Sequence, residues 1–333
     1  MTETADRPMR AETVSGSEPA GPFFVVGAAR SGTTLMRFML DSHPRLAVPD
    51  ESLFIVTLWA PWHRLRHRPE AALEAILANR RFRSWRLDPD IVRAEVAAKD
   101  PTDFVGVVRA VFGAYARFHG KVRWGDKTLH YAHHLATVAR LFPDARFIHM
   151  IRDGRDVAAA LASYSWAPNA VCGAYYWRKP LRRTWRVGHR LGPNRYLEVR
   201  LEDLVADPKG TLTRVCDFLG ERFDPAMLDY PNLVQTRDPG QLFRRYEHRH
   251  LLLPPTPGLR DWRAGLSARQ QRLVEAACEP WLARLGYVAE GRARRLDRAR
   301  AWVVWMRGTA FYSVPYRARK WLRRRPHFEE AAQ

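Results

Sequence analysis

GAARSGTTLM, residues 27–36, is the stretch that decides how this chain folds. It has the spacing of a phosphate loop, G-x-x-x-x-G-K-[ST], whose lysine reaches the β and γ phosphates of a nucleotide and whose hydroxyl binds magnesium. Thr33 stands here in the lysine's place. Both flanks fit such a loop: Phe23-Phe24-Val25-Val26 reads as a short buried strand, and Thr34 to Leu40 reads as the opening of a helix. Backbone N–H groups and the positive end of the helix dipole converge on Arg30-Ser31-Gly32-Thr33-Thr34, so an oxyanion belongs there, with Arg30 as a fixed cation. Without the lysine, and with no Asp-terminated apolar strand to hold magnesium, a triphosphate would be poorly neutralised. A phosphate ester with a less charged terminal group suits the loop better.

Outward from the loop, strands and helices alternate. His43-Pro44 ends the first helix, Leu46-Ala47-Val48 is a second short strand, and Pro49-Asp50-Glu51-Ser52 is the turn after it. From Leu53 to Gly120 the pattern is helical and rich in Arg, Trp and Ala, with Asp88-Pro89 and Asp100-Pro101 as helix starts. Lys121 to Thr128 is a strand edge running into a loop, followed by an amphipathic helix from His133 to Phe142. Ala145 to Ile151 reads as a central strand with a helix from Asp156 to Ala162, Tyr196 to Leu201 as a further strand, and Thr211 to Leu219 as a helix closed by Gly220. The expected fold is α/β: a P-loop-like parallel sheet with helices on both faces, a mainly helical insertion and a basic helical tail. Ligands of such sheets sit beyond the carboxyl ends of the strands, so the loops there are where chemistry is sought.

Ile151-Arg152-Asp153-Gly154-Arg155-Asp156 lies at one of those ends. Arg152 beside a helix start can clamp a second phosphate, and two anion sites on one sheet suit a ligand phosphorylated at two places. The alternative is that Asp153 and Asp156 cap the helix while both arginines are solvated.

With 333 residues, 46% of them hydrophobic, the chain can bury one large core. Its formal charge of +20 favours acidic partners. That charge is uneven: residues 291–333 hold twelve Lys or Arg against three Asp or Glu, a net of +9, which leaves +11 for residues 1–290. Cys172, Cys216 and Cys278 are an odd set without metal-site spacing, which fits a reducing compartment. Residues 1–20 are polar with no apolar signal core, and no segment approaches ~18 consecutive apolar residues. The expected organisation is a disordered leader over 1–20, a main domain over 21–290 and a basic, aromatic tail over 291–333, in a cytoplasmic protein.

The chain resembles a known family. RSGTTLMRFMLDSHP, DES, GDK, RLFPDARFIHMIRDGRDV and RYLEVRLEDLVADP occur in the order and spacing of sulfotransferases that use 3′-phosphoadenosine-5′-phosphosulfate (PAPS), in the branch that includes the tyrosylprotein and many bacterial enzymes. The similarity spans residues 21–290. It implies in-line transfer of a sulfonate from PAPS to an acceptor hydroxyl on a small metabolite, glycan or lipid, with PAP as product and no metal. Arg30 through Thr34 would then hold the 5′-phosphosulfate and Arg152 the 3′-phosphate. The sulfonate explains how the loop can do without its lysine. Relatives share the 3′-phosphate with a serine at the position of Ala160, for which Ser163 would substitute or without which the phosphate would be held more weakly, and many carry a nucleotide-contacting tyrosine at the position of Leu201. Arg260-Asp261-Trp262-Arg263 resembles the late segment that closes over the donor, with Arg263 as its phosphate contact.

By the same resemblance Glu51 is the catalytic base and Lys127, in GDK, stabilises the leaving oxygen. Read without it, Asp50 and Glu51 are helix caps and Lys127 is a surface lysine. His43, His130, His133 and His134 are reserve bases. The acceptor pocket would be lined by the segments Leu53–Trp124 and Trp166–Trp177. In the tail, Trp302 to Met306, Phe311 and Tyr312 accompany a dense set of arginines including Arg323, Arg324 and Arg325, the composition of a helix that lies on anionic lipid, or of one packed on the core with a solvated basic face. The rival readings are a P-loop kinase or NTPase, which the missing lysine disfavours, and a basic nucleic-acid or membrane module, which leaves the ordered anion loops unexplained. No nucleic-acid partner is expected.

Overall fold

A computed structural model describes residues 21–59, 65, 67–162, 164, 167–237, 251–256, 261–279, 281–291 and 294–322. The expected leader, Ser163, Trp166, Arg260 and Arg323 to Arg325 lie outside the described residues, as do the side chains of Phe311 and Tyr312. Five strands, β1 (Phe23–Gly27), β2 (Leu46–Ala47), β3 (Arg123–Lys127), β4 (Arg146–Ile151) and β5 (Tyr196–Arg200), form one parallel sheet in the order β2-β3-β1-β4-β5. β1 is central because all five of its residues are buried, the pattern of a parallel strand covered on both faces. Phe24 and Val26 face one core layer, under α6 (Phe104–Phe118) and α7 (Tyr131–Leu141). Phe23 and Val25 face the other, under α1 (Thr33–Asp41) and α11 (Pro208–Leu219).

Between β2 and β3 the described residues make five helices, α2 (Phe54–Trp59), α3 (Pro69–Leu77), α4 (Arg80–Arg83), α5 (Pro89–Lys99) and α6. Asp88 caps α5 as its spacing predicts, but the other expected start moves: Asp103 caps α6, and Asp100 closes α5 in the left-handed region at φ 42°. Lys121–Thr128, read as a strand edge running into a loop, becomes a strand inside the sheet, and Lys127 is its last residue. Side chains at Arg123 and Asp126 obscured this, because a charged residue in an interior strand is tolerated only where a partner waits for it.

After β4 come α8 (Gly154–Leu161) and the long α9 (Ala170–Leu191), which run antiparallel: Gly154 packs on Trp177, and Gly173 on Ala158 and Leu161. α9 ends near β5, with Gly188 against the Tyr196 ring. A third apolar cluster joins α8, α9, the helix Ala268–Cys278 and Ala301 of the C-terminal helix Arg295–Leu322. That last helix packs one face on the core through Ala301, Val304, Trp305 and Gly308.

The sheet centre is tight where β1 and β3 pair. Phe23 lies opposite Gly125, and a side-chain carbon on Gly125 would meet the buried Phe23 ring. Gly125→Ala is expected to destabilise the fold by about 1–3 kcal/mol through overpacking. Chemical denaturation measures this, and an unchanged midpoint would show that the pairing of β1 with β3 is looser than described.

Candidate active site

All five strands end on one edge of the sheet, and each delivers a candidate residue there: the Gly27–Gly32 loop after β1, Glu51 after β2, Lys127 at the end of β3, Arg152 after β4 and Leu201 after β5. The loop is shaped for an anion. Arg30 and Gly32 adopt left-handed backbone angles, φ 68° and 84°, the first an uncommon conformation for a residue with a side chain. α1 then begins with no acidic residue in its first turn and no side chain capping it, so its leading N–H groups face the loop without an internal acceptor. Ser31 is fully buried, and its Oγ has no hydrogen-bond partner among the described residues. A buried hydroxyl without a partner is costly unless a ligand supplies one. Thr33 is buried and Thr34 half-buried, so of the two hydroxyls the second is the more open to the loop.

Arg152 binds the first loop to the second. Its Nη1 donates to the Arg30 carbonyl at 3.2 Å and its Nη2 lies 3.4 Å from the Asp156 carboxylate. Asp156 also accepts from the Trp262 backbone at 3.0 Å. Asp153 does cap α8, accepting from the Arg155 N–H, but neither arginine is solvated. Arg155 is enclosed by Asp153 at 2.7 Å, Glu275 at 2.9 Å and the Trp262 ring at 4.5 Å, which makes it a strut between α8 and the late helices.

Arg263 is drawn elsewhere. It is exposed, its Nε donates to Glu290 at 2.7 Å and its Nη1 to Asp261 at 3.4 Å, so a phosphate would have to compete with two carboxylates for it. Leu201 packs directly over the loop: a carbon built on Gly32 would lie 2.6 Å from Leu201 Cδ1. Where relatives are expected to carry a tyrosine, this chain closes the space with an apolar contact. Ala160 is buried and brings no hydroxyl.

Glu51 and Lys127 form an ion pair at 2.9 Å. Lys127 is only 6% exposed, so it is not a surface lysine. Register places it beside Val25, two residues before the loop begins. Burial alone would push the Glu51 carboxyl up, but the Lys127 ammonium, with smaller help from Arg81 and His130, outweighs burial and holds it below its ordinary value. Glu51 is therefore an ionised carboxylate at neutral pH.

The turn that carries Glu51 is fixed at both sides by residues that the sequence reading passed over. Arg37, on α1, reaches the Asp50 carboxylate at 2.6 Å and the Val48 carbonyl at 3.1 Å, and the Trp85 indole donates to the Asp50 carbonyl at 2.8 Å. Asp50 is thus an anchor and not a helix cap. On the other side the Ser52 N–H donates to Thr128 Oγ1 at 3.1 Å, Ser52 Oγ donates to Asp126 at 2.5 Å and Thr128 Oγ1 donates to Asp126 at 3.0 Å. The Tyr131 hydroxyl completes this group at 2.5 Å from Ser52 Oγ. The signal for it was present, since Ser52 and Asp126 belong to the same short motifs as Glu51 and Lys127.

The histidines separate. His43 is structural, with Nε2 2.9 Å from the Arg222 carbonyl and Nδ1 accepting from the Arg45 N–H. His133 is pushed down to about 4 by burial and by the cations Arg183 and Lys179, and His134 is lowered by burial and by His130 and Arg183, so both are neutral near pH 7. His130 has Glu51 within electrostatic reach.

The chain belongs to the sulfotransferase family, whose family model matches residues 22–225, more than half of it. Among curated proteins it is 27% identical over 221 residues to protein-tyrosine sulfotransferase 2 of Gallus gallus, covering 63% of this chain and 54% of that protein. It is 26% identical over 273 residues to protein-tyrosine sulfotransferase 1 of Danio rerio, covering 79% and 71%. The chain thus spans about half the length of the chicken relative. Among solved structures, the sulfotransferase domain from the curacin biosynthetic pathway superposes with a TM-score of 0.50 at 20% identity, over 89% of this chain and 99% of that domain, a likeness of fold.

The Asp126 network gives a stability signature. Burial raises the Asp126 carboxyl from 3.8 to about 6, opposed by its hydroxyl donors. A raised carboxyl costs the folded state nothing below 3.8 and most above about 6, so wild-type stability should fall relative to Asp126→Asn as pH rises through that window. The change is about 3 kcal/mol by linkage. Denaturation of both proteins at several pH values measures it, and a pH-independent difference would mean that Asp126 is not titrating there.

Proposed function

We propose that this chain is a PAPS-dependent sulfotransferase that moves a sulfonate to an acceptor hydroxyl on a small metabolite, glycan or lipid. The observation that carries the reading is the Glu51–Lys127 pair beside a phosphate loop without its lysine. The cation absent at Thr33 enters from the neighbouring strand as Lys127, already bound to a carboxylate that can act as a base. The partnerless Ser31 hydroxyl, the uncapped start of α1 and Arg30 suit a phosphosulfate, and Arg152, held against the same loop, suits the 3′-phosphate of the same molecule. The donor brings an electrophilic sulfur and a phosphate leaving group, and the rest is positioning and charge.

Glu51 and Lys127 have linked tasks. While Lys127 holds Glu51, the carboxylate is a weak base. When the ammonium turns to the oxygen that carries negative charge on leaving, Glu51 is released to take the proton of the acceptor hydroxyl. One proton leaves the acceptor for Glu51 as the oxygen–sulfur bond forms, and the bond to the bridging oxygen breaks with its electrons kept on the phosphate. We also place the protein in the cytoplasm, which three buried, unpaired cysteines fit.

Glu51→Gln should leave binding of adenosine 3′,5′-bisphosphate intact and lower turnover by about 10²-fold or more; near-normal turnover removes Glu51 from the role of base. Arg152→Ala should weaken the bisphosphate without weakening a ligand that lacks the 3′-phosphate, and equal losses contradict the assignment. Binding compared between the bisphosphate and ATP with magnesium tests the class, since preference for ATP returns the chain to the kinases. Lys127→Met removes the group that depresses Glu51 and leaves its burial, so the acid limb of the rate profile should move to higher pH, beyond a loss in rate of about 10²-fold or more. An unmoved limb would separate the two residues.

A further inference from the structure

The C-terminal helix Arg295–Leu322 has two faces. Its inner stripe, Ala301, Val304, Trp305 and Gly308, packs on the core: Trp305 stacks on Tyr175 of α9 at 4.8 Å, and Gly308 abuts Pro168, Asn169 and Cys172. Its outer stripe, Leu296, Ala299, Trp302, Val303, Met306 and Ala310, repeats at helical spacing and is exposed, with Leu296 65%, Trp302 51% and Met306 42% open. Apolar side chains at successive turns of an outer face are not needed for the fold. Exposed arginines flank them: Arg295, Arg307, and Arg300, which lies 3.8 Å from Asp297. From Arg298 to Phe328 the sequence contains no Asp or Glu.

The direction of this helix follows from its neighbours. α8 leaves the carboxyl end of β4, and α9 returns beside it toward the amino end of β5. Trp305 on Tyr175 and Gly308 on Cys172 and Asn169 make the C-terminal helix antiparallel to α9. It therefore climbs toward the edge of the sheet where the strands deliver Arg30, Glu51, Lys127 and Arg152. Gly308 reaches Pro168, four residues from Tyr164, whose ring lies 6.0 Å from the Arg30 guanidinium. The backbone then continues in helix to Leu322, ~21 Å further at 1.5 Å per residue.

We propose that the outer face of this helix lies on an anionic lipid surface, which brings the active-site edge of the sheet to the border of that surface, so that the acceptor hydroxyl belongs to an amphiphile held in it. This rests on the sulfotransferase reading and narrows its acceptor. Charge selects the occupant: an apolar stripe bordered by arginines complements acidic headgroups, whereas a second copy would bring arginines against arginines. Among the described residues no helix is long and apolar enough to cross a membrane, which agrees with a helix lying in the interface.

The test uses the full chain with vesicles of phosphatidylcholine alone or mixed with phosphatidylglycerol. Sedimentation with the mixed vesicles only is expected. The double variant Trp302→Glu, Met306→Glu, and separately Arg300→Glu, Arg307→Glu, should each weaken it by about tenfold or more. The thermal shift produced by adenosine 3′,5′-bisphosphate should be unchanged in both, which shows that each is folded. With radiolabelled donor and vesicles made from lipids of the native host, label should enter the organic phase. No sedimentation, undiminished sedimentation of both double variants, or label confined to water-soluble product overturns the proposal. So does a fall from dimer to monomer in the first double variant while vesicle binding persists, because a second copy then covers the face. Vesicle binding by a protein that shows no bisphosphate shift would sink the donor assignment and leave the membrane seat standing.

Discussion

A lysine buried as deeply as Lys127 needs a counter-charge, and much of the site is arranged to give it one. Glu51 supplies the charge from the turn after β2, an edge strand of only two residues that cannot hold a turn rigid by itself. The rigidity comes from outside, through Arg37 and Trp85 on the Asp50 side and the Asp126, Ser52, Thr128 and Tyr131 hydrogen bonds on the other. The result is a carboxylate and an ammonium at fixed separation beside the glycine loop. The ammonium holds the Glu51 carboxyl below its ordinary value despite burial.

The same economy governs the two anion positions. Arg30 accepts an unfavourable backbone angle so that the loop can turn above α1, and its carbonyl then receives Arg152 from the neighbouring strand end. That hydrogen bond helps fix the spacing between the group that would hold one end of the donor and the group that would hold the other. Arg155, three residues along, takes no part. Its charge is consumed by Asp153 and Glu275, and its plane by Trp262, which ties the late helices to the start of α8.

The parallel sheet also sets what surrounds the site. Every strand ends at the same edge, so loops gather there, and the C-terminal helix runs antiparallel to α9 beside them. The C-terminal helix covers the core with one stripe and leaves apolar residues exposed on the other. Its direction puts that surface at the active-site edge and not at the remote end of the molecule.

Local sequence determined a great deal. The glycine spacing, the apolar run at Phe23–Val26 and the helix opening at Thr34 define the strand–loop–helix unit because each depends on neighbours within a few residues. The alternation of strands and helices defines the α/β class for the same reason. The burial of charged residues inside the sheet is not legible locally, since whether Lys127 or Asp126 is buried depends on partners 76 and 74 positions away, Glu51 and Ser52. Only the folded chain shows that Arg37 anchors the turn that carries Glu51, that Arg263 is engaged by Glu290, and that Leu201 fills the space over Gly32. Short-range backbone geometry is written residue by residue in the sequence. The pairing of buried charges is not, because it is chosen by which strands lie side by side.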